Sequence, residues 1–574
     1  MTTQTQTLRD PIEMEVFVNR LLSITEDMNN TLVRSSFSTN IKERKDCSVA
    51  LFDASGRLVA QGTQIPLHLG SLNGAMQAVL EQYPVDHIAP GDAFISNDPY
   101  LAGGSHLPDI NIVTPVFHEG QLVFFTANVG HHADVGGSVP GSIAGSLRTV
   151  FEEGIRIPVV RIARGGEIQE DLLRLVCSNT RDPEERWLDL KVQIATNQRG
   201  ATAVQGLLTQ MGLARALTAV EDLIQYTRSR LERRIAELNP GTYAFTHMMD
   251  DDGLPGGEPV PLRVAVTVLE GCRLRFDFSG SGAQARGAMN LPESALRACV
   301  YYAVKALLDP ELAANAGLFQ PLEIVAPKGS IVNPEAPASV GARSLTAQKV
   351  AGAIFGAFRE ALPQSRIMAS GNDVCPAIVF SGRLAHRPGD FVYLETVAGG
   401  SGARDDMDGM DGVHVHMTNS SNLPVEALEN EYPLRVERYA LVPDSGGIGR
   451  QRGGMAVARE VRALADGIVF SARSDNHIAG RATGVLGGGD GRQARLIHKR
   501  ADGSEEILPS KTAGLCMTLG ESVCLETSGA GGFGSPRDRA LSALADDLYD
   551  ERVSPPAARQ AYGDRVDQAL SSKA

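Results

Sequence analysis

The side chains best suited to chemistry lie in a glycine-rich region between residues 97 and 154. This region places three histidines and two aspartates within 29 residues, although the whole chain of 574 residues has only 12 histidines. They are His106, Asp109, His131, His132 and Asp134. Imidazole and carboxylate groups suit Zn, Mn or Fe, and three protein ligands with an open position form a catalytic metal site. The pattern is compatible with one divalent metal ion.

A structural interpretation of the same residues stays open at this point. A histidine beside a glycine loop often hydrogen-bonds to the backbone, and Asp109 or Asp134 could cap a turn. For any one residue the structural role is favoured, whereas for the whole set the two interpretations are balanced.

Two predicted strands bear on whether these residues meet. The segment INIVTPVFHEGQLVFFTANVG is typical of two strands joined by a turn at residues 118–120. In an antiparallel hairpin, the loop before the first strand and the end of the second strand share one edge. Asp109 and His131 are therefore predicted to be neighbours in space.

The whole chain predicts a mixed α/β (α+β) fold of several subdomains, with a β-rich C-terminal half full of glycine loops. Helical periodicity marks residues 11–36, 69–83, most of 168–236, 292–308, 345–362 and two short helices in the tail. The predicted regions are an N-terminal α+β region with the metal site, a helical region, a central α/β region, a β-rich region and a helical tail. Their predicted bounds are 1–165, 166–240, 241–375, 376–535 and 536–574.

Composition excludes several classes of protein. Lys and Arg total 54 against 68 Asp and Glu, and no dense basic stripe is present, so we expect no nucleic-acid partner. No stretch reaches the ~18 uninterrupted apolar residues of a membrane helix, so we expect no membrane association. The N-terminus lacks the pattern of a signal peptide, and the seven cysteines form no C-x-x-C pair. These features predict a cytoplasmic protein with reduced thiols.

Familiar nucleotide-binding motifs are missing despite the 60 glycines. The segments GGGDG and GSGARDD do not follow the P-loop order, and no G-x-G-x-x-G lies between a clear strand and a helix. We therefore expect no ATP site of a familiar kind in this chain.

His414 and His416 would share one face if VHVHM were a strand. Packing in a polar seam is favoured there over a second metal pair.

Seven longer segments stand in order along the chain: NDPYLAGGSHLPD, HHADVGG, FEEGIRIP, FDFSGSGAQARGAMN, NLPVEALENEYP, DSGGIGRQRGG and GAGGFGSPRDR. Together they resemble the hydantoinase B family. That family includes the B subunits of ATP-dependent hydantoinases, lactamases and 5-oxoprolinases, and the large subunits of acetone and acetophenone carboxylases. The resemblance runs from about residue 10 to the C-terminus.

The resemblance implies a metal centre in this chain. In the related proteins, the His and Asp of the GG-[ST]-H-L-x-D motif and the first His of the HHAD motif bind a divalent ion. These positions are His106, Asp109 and His131, and an upstream aspartate, here Asp46, is implied as a fourth ligand. His132 and Asp134 would lie around them as candidate catalytic residues that orient ligands or substrate.

The resemblance also implies a reaction in two stages. A partner of the hydantoinase A type binds ATP and phosphorylates the carbonyl oxygen of the substrate, and water at the metal centre then opens the ring. In the carboxylase branch, an enol phosphate would instead meet bicarbonate or CO2. Candidate proton shuttles are Glu153 and its neighbour Glu152. The candidate anion-binding residues, through their backbone N–H groups, are Gly103, Gly104, Gly136 and Gly137.

The leading hypothesis is therefore the metal-containing B subunit of an ATP-dependent cyclic amide hydrolase, active only with its A-type partner. The modest length favours it, because 5-oxoprolinases often fuse both subunits and carboxylase large subunits tend to be longer. The first alternative is the large subunit of a ketone carboxylase of the acetone or acetophenone type. An alternative from another class is a non-catalytic structural subunit of such a complex.

Overall fold

The computed structural model describes residues 10–384 and 389–573, so the first nine residues, on which the signal-peptide prediction rests, lie outside it. The N-terminal part is a seven-stranded sheet in the order β2-β1-β5-β4-β3-β6-β7. Its strands are β1 (Cys47–Asp53), β2 (Leu58–Gln61), β3 (Ala93–Ser96), β4 (Asp109–His118), β5 (Gln121–His131), β6 (Val160–Arg164) and β7 (Glu167–Ile168). The helices of this part are α1 (Pro11–Ser35), α2 (Thr39–Lys42), α3 (His68–Gln82) and α4 (Val150–Glu153).

The centre of this sheet is covered on both faces. Helix α1 contacts β1 and β2, whereas α3 contacts β1, β4 and β5. Every residue of β1 is buried, which explains its nearly continuous apolar run. The predicted hairpin β4–β5 is confirmed as an antiparallel pair, and β1 and β2 form a second antiparallel pair.

A helical layer and a second sheet follow. The helices are α5 (Glu170–Cys177), α6 (Pro183–Met211) and α7 (Leu213–Ala236). The four-stranded sheet that follows has the order β11-β10-β9-β8 and is accompanied by two helices. These elements are β8 (Thr242–Met249), β9 (Val260–Leu269), β10 (Arg273–Asp277), α8 (Glu293–Leu308), β11 (Leu322–Val325) and α9 (Arg343–Phe358). Helix α9 ends at Phe358, four residues before the predicted boundary at 362, and a turn leads from it to Pro363.

The C-terminal half is β-rich, as predicted. Its two sheets have the orders β13-β12-β16-β19 and β14-β15-β20-β17-β18. The elements are β12 (Ala377–Arg383), β13 (Asp390–Thr396), α10 (Val425–Glu431), β14 (Leu434–Val442), β15 (Ala456–Ala463), β16 (Ile468–Arg473), β17 (Arg495–Lys499), β18 (Glu505–Leu508), β19 (Lys511–Met517) and β20 (Ser522–Glu526).

The two short helices predicted in the tail are present as α11 (Leu541–Tyr549) and α12 (Pro555–Tyr562). A third helix, α13 (Arg565–Lys573), follows them. The VHVHM segment does not meet the condition of being a strand, since a turn forms at His416, which has a left-handed φ of +51°. His416 instead places Nε2 2.9 Å from Oδ1 of Asp373, while His414 contacts Thr418.

The largest hydrophobic core runs through most of the molecule. It joins residues of β1 and α3 to residues of α8, α9 and the β-rich half, with Phe52, Leu345 and Phe533 among its fully buried members. Four of the five predicted regions therefore share this core, whereas the helical tail packs in a separate cluster, and the predicted bounds stay a prediction. Within the described residues, no helix combines the length and apolar character that crossing a membrane requires.

Candidate metal centre

The candidate metal centre lies at the open end of the β4–β5 hairpin. Asp109, the first residue of β4, pairs in register with His131, the last residue of β5. Nε2 of His106, in the preceding loop, lies 3.3 Å from Oδ1 of Asp109. One ligand atom from each of these three buried residues lies within 4.8 Å of the other two. We call the three residues the triad, and their proximity confirms the hairpin prediction.

Two atoms of the triad lack the partners that buried polar atoms normally have. Nε2 of His106 and Oδ1 of Asp109 are buried and form no hydrogen bond with any described residue. An unsatisfied buried polar atom costs about 1–3 kcal/mol, so two that face each other call for a common partner. A divalent cation fits, since imidazole nitrogen and carboxylate oxygen are its usual ligands.

The protonation states of the triad also suit a cation. Burial, reinforced by Arg343, lowers the pKa of His106 to about 4, and burial holds the pKa of His131 well below its usual range. Burial acts to raise the pKa of Asp109, but Arg343 and His106 outweigh it and hold that pKa well below its usual value. At neutral pH the triad offers two uncharged imidazoles and one carboxylate, the forms that bind metal.

Neighbouring groups fix the outward-facing atoms of the triad. Nδ1 of His106 faces the carbonyl oxygen of Gly341 at 3.3 Å. Oδ2 of Asp109 accepts hydrogen bonds from Nη2 of Arg343 at 2.5 Å and from Oγ of Ser105. Contacts of this kind hold the imidazole and carboxylate in one orientation.

Helix α6 positions the start of β4 from the other side. Nε2 of Gln193 donates to the carbonyl oxygen of Ile110 at 2.9 Å. Nδ2 of Asn197 donates to the carbonyl oxygen of Ile112, also at 2.9 Å. Because positions four apart lie on one face of a helix, these two side-chain amides hydrogen-bond to alternate residues of β4. They thereby fix the strand that begins with Asp109.

His68 is a neighbour of the triad that the sequence does not predict. Its Nε2 lies 3.5 Å from Oδ1 of Asp109 and 3.5 Å from Oδ1 of Asp46, while its Nδ1 lies 3.1 Å from Oγ of Ser48. His68 is the first residue of α3, whereas the helical periodicity predicts a start one residue later. No local motif distinguishes it, because only the contact of α3 with β4 brings it to the site.

Asp46, the predicted fourth ligand, lies at the edge of the triad. Its backbone carbonyl accepts a hydrogen bond from the His131 amide at 2.9 Å. Its Oδ2 lies 3.6 Å from Nη2 of Arg44, and its pKa is raised because burial outweighs the nearby cations. The close group of three ligand atoms does not include Asp46. Its role as a ligand therefore stays a prediction.

His132 and Asp134 make their polar contacts away from the triad. Nδ1 of His132 lies 3.0 Å from Nη1 of Arg186, and its Nε2 faces α6. Asp134 pairs with Nη1 of Arg181 at 2.6 Å and caps the Gly136 amide at 3.0 Å. The structure gives Asp134 the turn-capping contacts of the structural interpretation. Catalytic roles for these two residues stay predictions, without support from a contact with the triad.

Glu153 is linked to the triad through residues 339–341, which lie between its carboxylate and His106. Its Oε1 accepts hydrogen bonds from the amides of Val340 and Gly341 at 2.6 and 2.9 Å and from Oγ of Ser339. Oε2 has no partner among the described residues. Burial, which outweighs these hydrogen bonds, raises the pKa of Glu153 to about 7. Glu153 thus supports the carbonyl that faces His106 and can hold a proton near neutral pH.

The four glycines predicted to bind an anion lie at positions of close backbone packing. A Cβ atom at any of them would approach a neighbouring backbone atom to between 2.3 and 2.6 Å. The amides of Gly104 and Gly136 are taken by a loop carbonyl and a carboxylate. Gly103 and Gly137 adopt φ values of +62° and +84°. None of the four lines the cavity beside the triad, and anion binding by them stays a prediction.

The fold and the site together define a class of protein, a mixed α/β chain with a buried centre of histidine and carboxylate groups. Residues 10–536 match the family model described as hydantoinase B/oxoprolinase, and the chain belongs to this family. It is 34% identical to a 5-oxoprolinase of Dictyostelium discoideum over 92% of this chain and 40% of that protein. It is 30% identical to the B subunit of a putative D-/L-hydantoinase of a Pseudomonas species over 96% of this chain and 95% of that protein.

The chain spans about two fifths of the length of the 5-oxoprolinases it matches. Among solved structures, it is similar to an ATP-dependent caprolactamase from Pseudomonas jessenii, with a TM-score of 0.90 and 27% identity over 99% of both chains. It also shares its fold with a nucleotide-free acetone carboxylase, with a TM-score of 0.88 and 20% identity over 98% of this chain and 83% of that one. The predicted family and fold class are confirmed.

Proposed function

We propose that this chain is the metal-containing B subunit of an ATP-dependent cyclic amide hydrolase, which acts on a substrate phosphorylated by an A-type partner. The observation that carries the proposal is the buried triad with its two unpartnered ligand atoms. Two proteins that match nearly the whole chain support a cyclic amide as substrate. They are the putative D-/L-hydantoinase chain and the caprolactamase.

A divalent ion, when bound, supplies a Lewis acid and makes water a better nucleophile at neutral pH. The residues of this chain hold it with two imidazoles and one carboxylate, and Arg343 and Gly341 orient those ligands. Glu153 would hold a proton at Oε2, on the far side of residues 339–341 from His106. The proposed net reaction consumes ATP and water, breaks the ring C–N bond, and releases the ring-opened carboxylic acid, ADP and phosphate.

Nucleotide binding is assigned to the partner for two reasons. The chain has no P-loop motif. It also covers only 40–42% of the length of two 5-oxoprolinases, whereas it covers 95% of the putative hydantoinase chain. The chain alone is therefore expected to be inactive.

An apolar pocket adjoining the cavity next to the triad suits the hydrocarbon part of a cyclic amide. Ile65 lines both the pocket and the cavity, and the pocket continues along Leu69, Tyr301 and Tyr302. Its volume is about 250 Å³. Apolar walls beside a few polar groups are typical of sites for small organic ligands.

The large subunit of a ketone carboxylase is the second candidate, favoured by the fold shared with acetone carboxylase. In that reaction an enol phosphate would meet bicarbonate or CO2 at the same triad. The non-catalytic structural subunit is the third candidate. It predicts that loss of the triad leaves the activity of the complex intact.

Co-expression with an A-type partner tests these proposals. The reconstituted complex is assayed for ring opening of hydantoins and lactams with ATP, with and without bicarbonate. We expect ring-opened product and ADP without bicarbonate, and no turnover by either component alone. A carboxylated product that requires bicarbonate would overturn the hydrolase in favour of the carboxylase. Unchanged turnover in the His106→Ala complex would favour the structural subunit.

A further inference from the structure

Three buried arginines meet at a small cavity beside the triad. Arg44, Arg343 and Arg473 are 0%, 3% and 4% exposed. They come from the segment before β1, the first turn of α9 and the last residue of β16. The cavity that they line also contacts His68 and His131. Buried arginines are rare unless an anion accompanies them.

Two of these arginines have a carboxylate nearby. Arg343 pairs with Asp109 at 2.5 Å and donates to Oγ of Ser105 at 2.9 Å. Arg44 lies 3.6 Å from Asp46 and donates from Nη2 to Oγ1 of Thr396 at 3.1 Å. The positive charge of each is therefore balanced by an acidic group of the same chain.

Arg473 has no such carboxylate. Its hydrogen bond runs from Nη1 to the carbonyl oxygen of Gly341 at 3.1 Å, and its Nε has no partner within the described part of the chain. Among the described residues, the two carboxylates beside the cavity form ion pairs with Arg44 and Arg343 instead. Burial, with repulsion from Arg343 and Arg44, lowers its pKa to about 10, so it stays charged at neutral pH. An unpaired buried charge of this kind is costly unless a ligand neutralises it.

The charges around the cavity leave a positive excess. Three guanidinium groups face two carboxylates, Asp46 and Asp109, and a divalent ion at the triad would add to the surplus. The walls also carry hydroxyl groups of Ser344, Thr396 and Thr418. A small cavity with a positive excess and hydroxyl donors matches a compact oxyanion rather than a nucleotide.

We propose that this cavity binds a phosphoryl group, with Arg473 as its principal anchor and with Arg44 and Arg343 beside it. The inference rests on the proposed function, in which the partner delivers a phosphorylated substrate. The site would hold that phosphoryl group next to the triad and bring the activated carbon within reach of it. Arg473 is therefore a specificity residue for phosphorylated over unphosphorylated substrate.

Inorganic phosphate is the probe for this site. The purified full-length chain is loaded with Mn²⁺, and phosphate binding is followed by calorimetry and by paramagnetic broadening of the phosphate ³¹P signal in a chloride buffer. We expect saturable binding of one phosphate per chain, with broadening that reports proximity to the triad. Phosphate that fails to bind, or that binds without broadening, would overturn the proposal without any variant.

Arg473→Gln removes the unpaired charge and is expected to weaken phosphate binding at least about tenfold, because charge-assisted hydrogen bonds are lost. Arg473→Lys keeps the charge and is expected to retain part of the affinity. The matched control is Arg233→Gln, which removes an exposed arginine at the end of α7 and should leave binding unchanged. Unchanged affinity in a folded Arg473→Gln chain, or binding of bicarbonate in place of phosphate, would overturn the assignment.

These measurements need neither the partner nor turnover. If the chain binds phosphate but its reconstituted complex hydrolyses no cyclic amide, the proposed function is contradicted and the anion site is supported. If the complex hydrolyses cyclic amides but the chain binds no phosphate, the anion site is contradicted and the proposed function is supported.

Discussion

The ring of His106 has one nitrogen against a backbone carbonyl and the other buried without a partner among the described residues. His106→Ala removes a proposed ligand, and we expect the metal content of the purified chain to fall at least about tenfold. Turnover of the reconstituted complex should fall with it. Elemental analysis and the ring-opening assay measure the two effects.

His87→Ala is the matched control, since His87 is an exposed histidine in a short helical turn. It should retain both metal and turnover. Loss of turnover with full metal content in His106→Ala would contradict the role of His106 as a ligand.

The buried carboxyl of Glu153 predicts a pH dependence of stability. Its pKa is raised by burial from 4.5 to about 7, so the folded chain holds a proton that the unfolded chain releases as the pH rises through this window. The contribution of Glu153 to the free energy of unfolding is therefore greatest below about pH 4.5. It falls by about 3 kcal/mol in total as the pH rises to about 7.

Glu153→Gln mimics the protonated carboxyl and removes this titration. We expect the melting temperature of the variant, relative to the wild type, to rise as the pH increases from 5 to 8. Thermal unfolding of the metal-free chains at several pH values measures the difference. A difference that stays constant over this range would refute the prediction.

At the scale of elements, α3, which carries His68 to the triad, packs closely against α8. A Cβ on Gly70, two residues after His68, would lie 2.0 Å from the carbonyl oxygen of Ser294 at the start of α8. Gly70→Ala is therefore expected to push the two helices apart and to destabilise the chain by about 1–3 kcal/mol. The melting temperature should fall, and metal content should fall with it.

Gly206→Ala is the matched control, because Gly206 also lies inside a helix but a Cβ there would meet nothing within 4 Å. We expect this change to stabilise α6 by roughly 0.5–1 kcal/mol, since glycine is a poor helix former. Equal effects of the two substitutions on the melting temperature would show that close packing of α3 is not the cause.

At the scale of the whole molecule, one buried ion pair joins the two C-terminal sheets. Arg459 on β15 donates to both carboxylate oxygens of Glu395 on β13, at 3.0 and 3.1 Å, and both side chains are at most 1% exposed. Arg459→Met leaves a buried carboxylate unpaired and is expected to cost about 3–5 kcal/mol.

The double variant Arg459→Met/Glu395→Gln removes both charges. It should recover at least half of the loss in the free energy of unfolding, because most of the cost of the single change is the unpaired charge. Denaturant unfolding of the single and double variants measures the coupling. No recovery would mean that packing of the arginine, rather than charge pairing, holds the sheets together.

The sequence by itself determined the ligand types and the local geometry of the triad. Asp109 and His131 meet because a short turn fixes the register of an antiparallel hairpin, and His106 stands only three residues before Asp109. The helices and the β-rich half were also predictable, since hydrophobic periodicity is a local property.

The tertiary structure alone decided what surrounds the triad. His68 arrives with a helix, whereas Arg343 and Arg473 come from elements more than 200 residues further along the chain. It also brought three buried arginines, rather than the predicted glycines, to the cavity beside the triad. Periodicity fixes which face of an element is buried, but not which distant element packs there, and that packing sets the charge of this site.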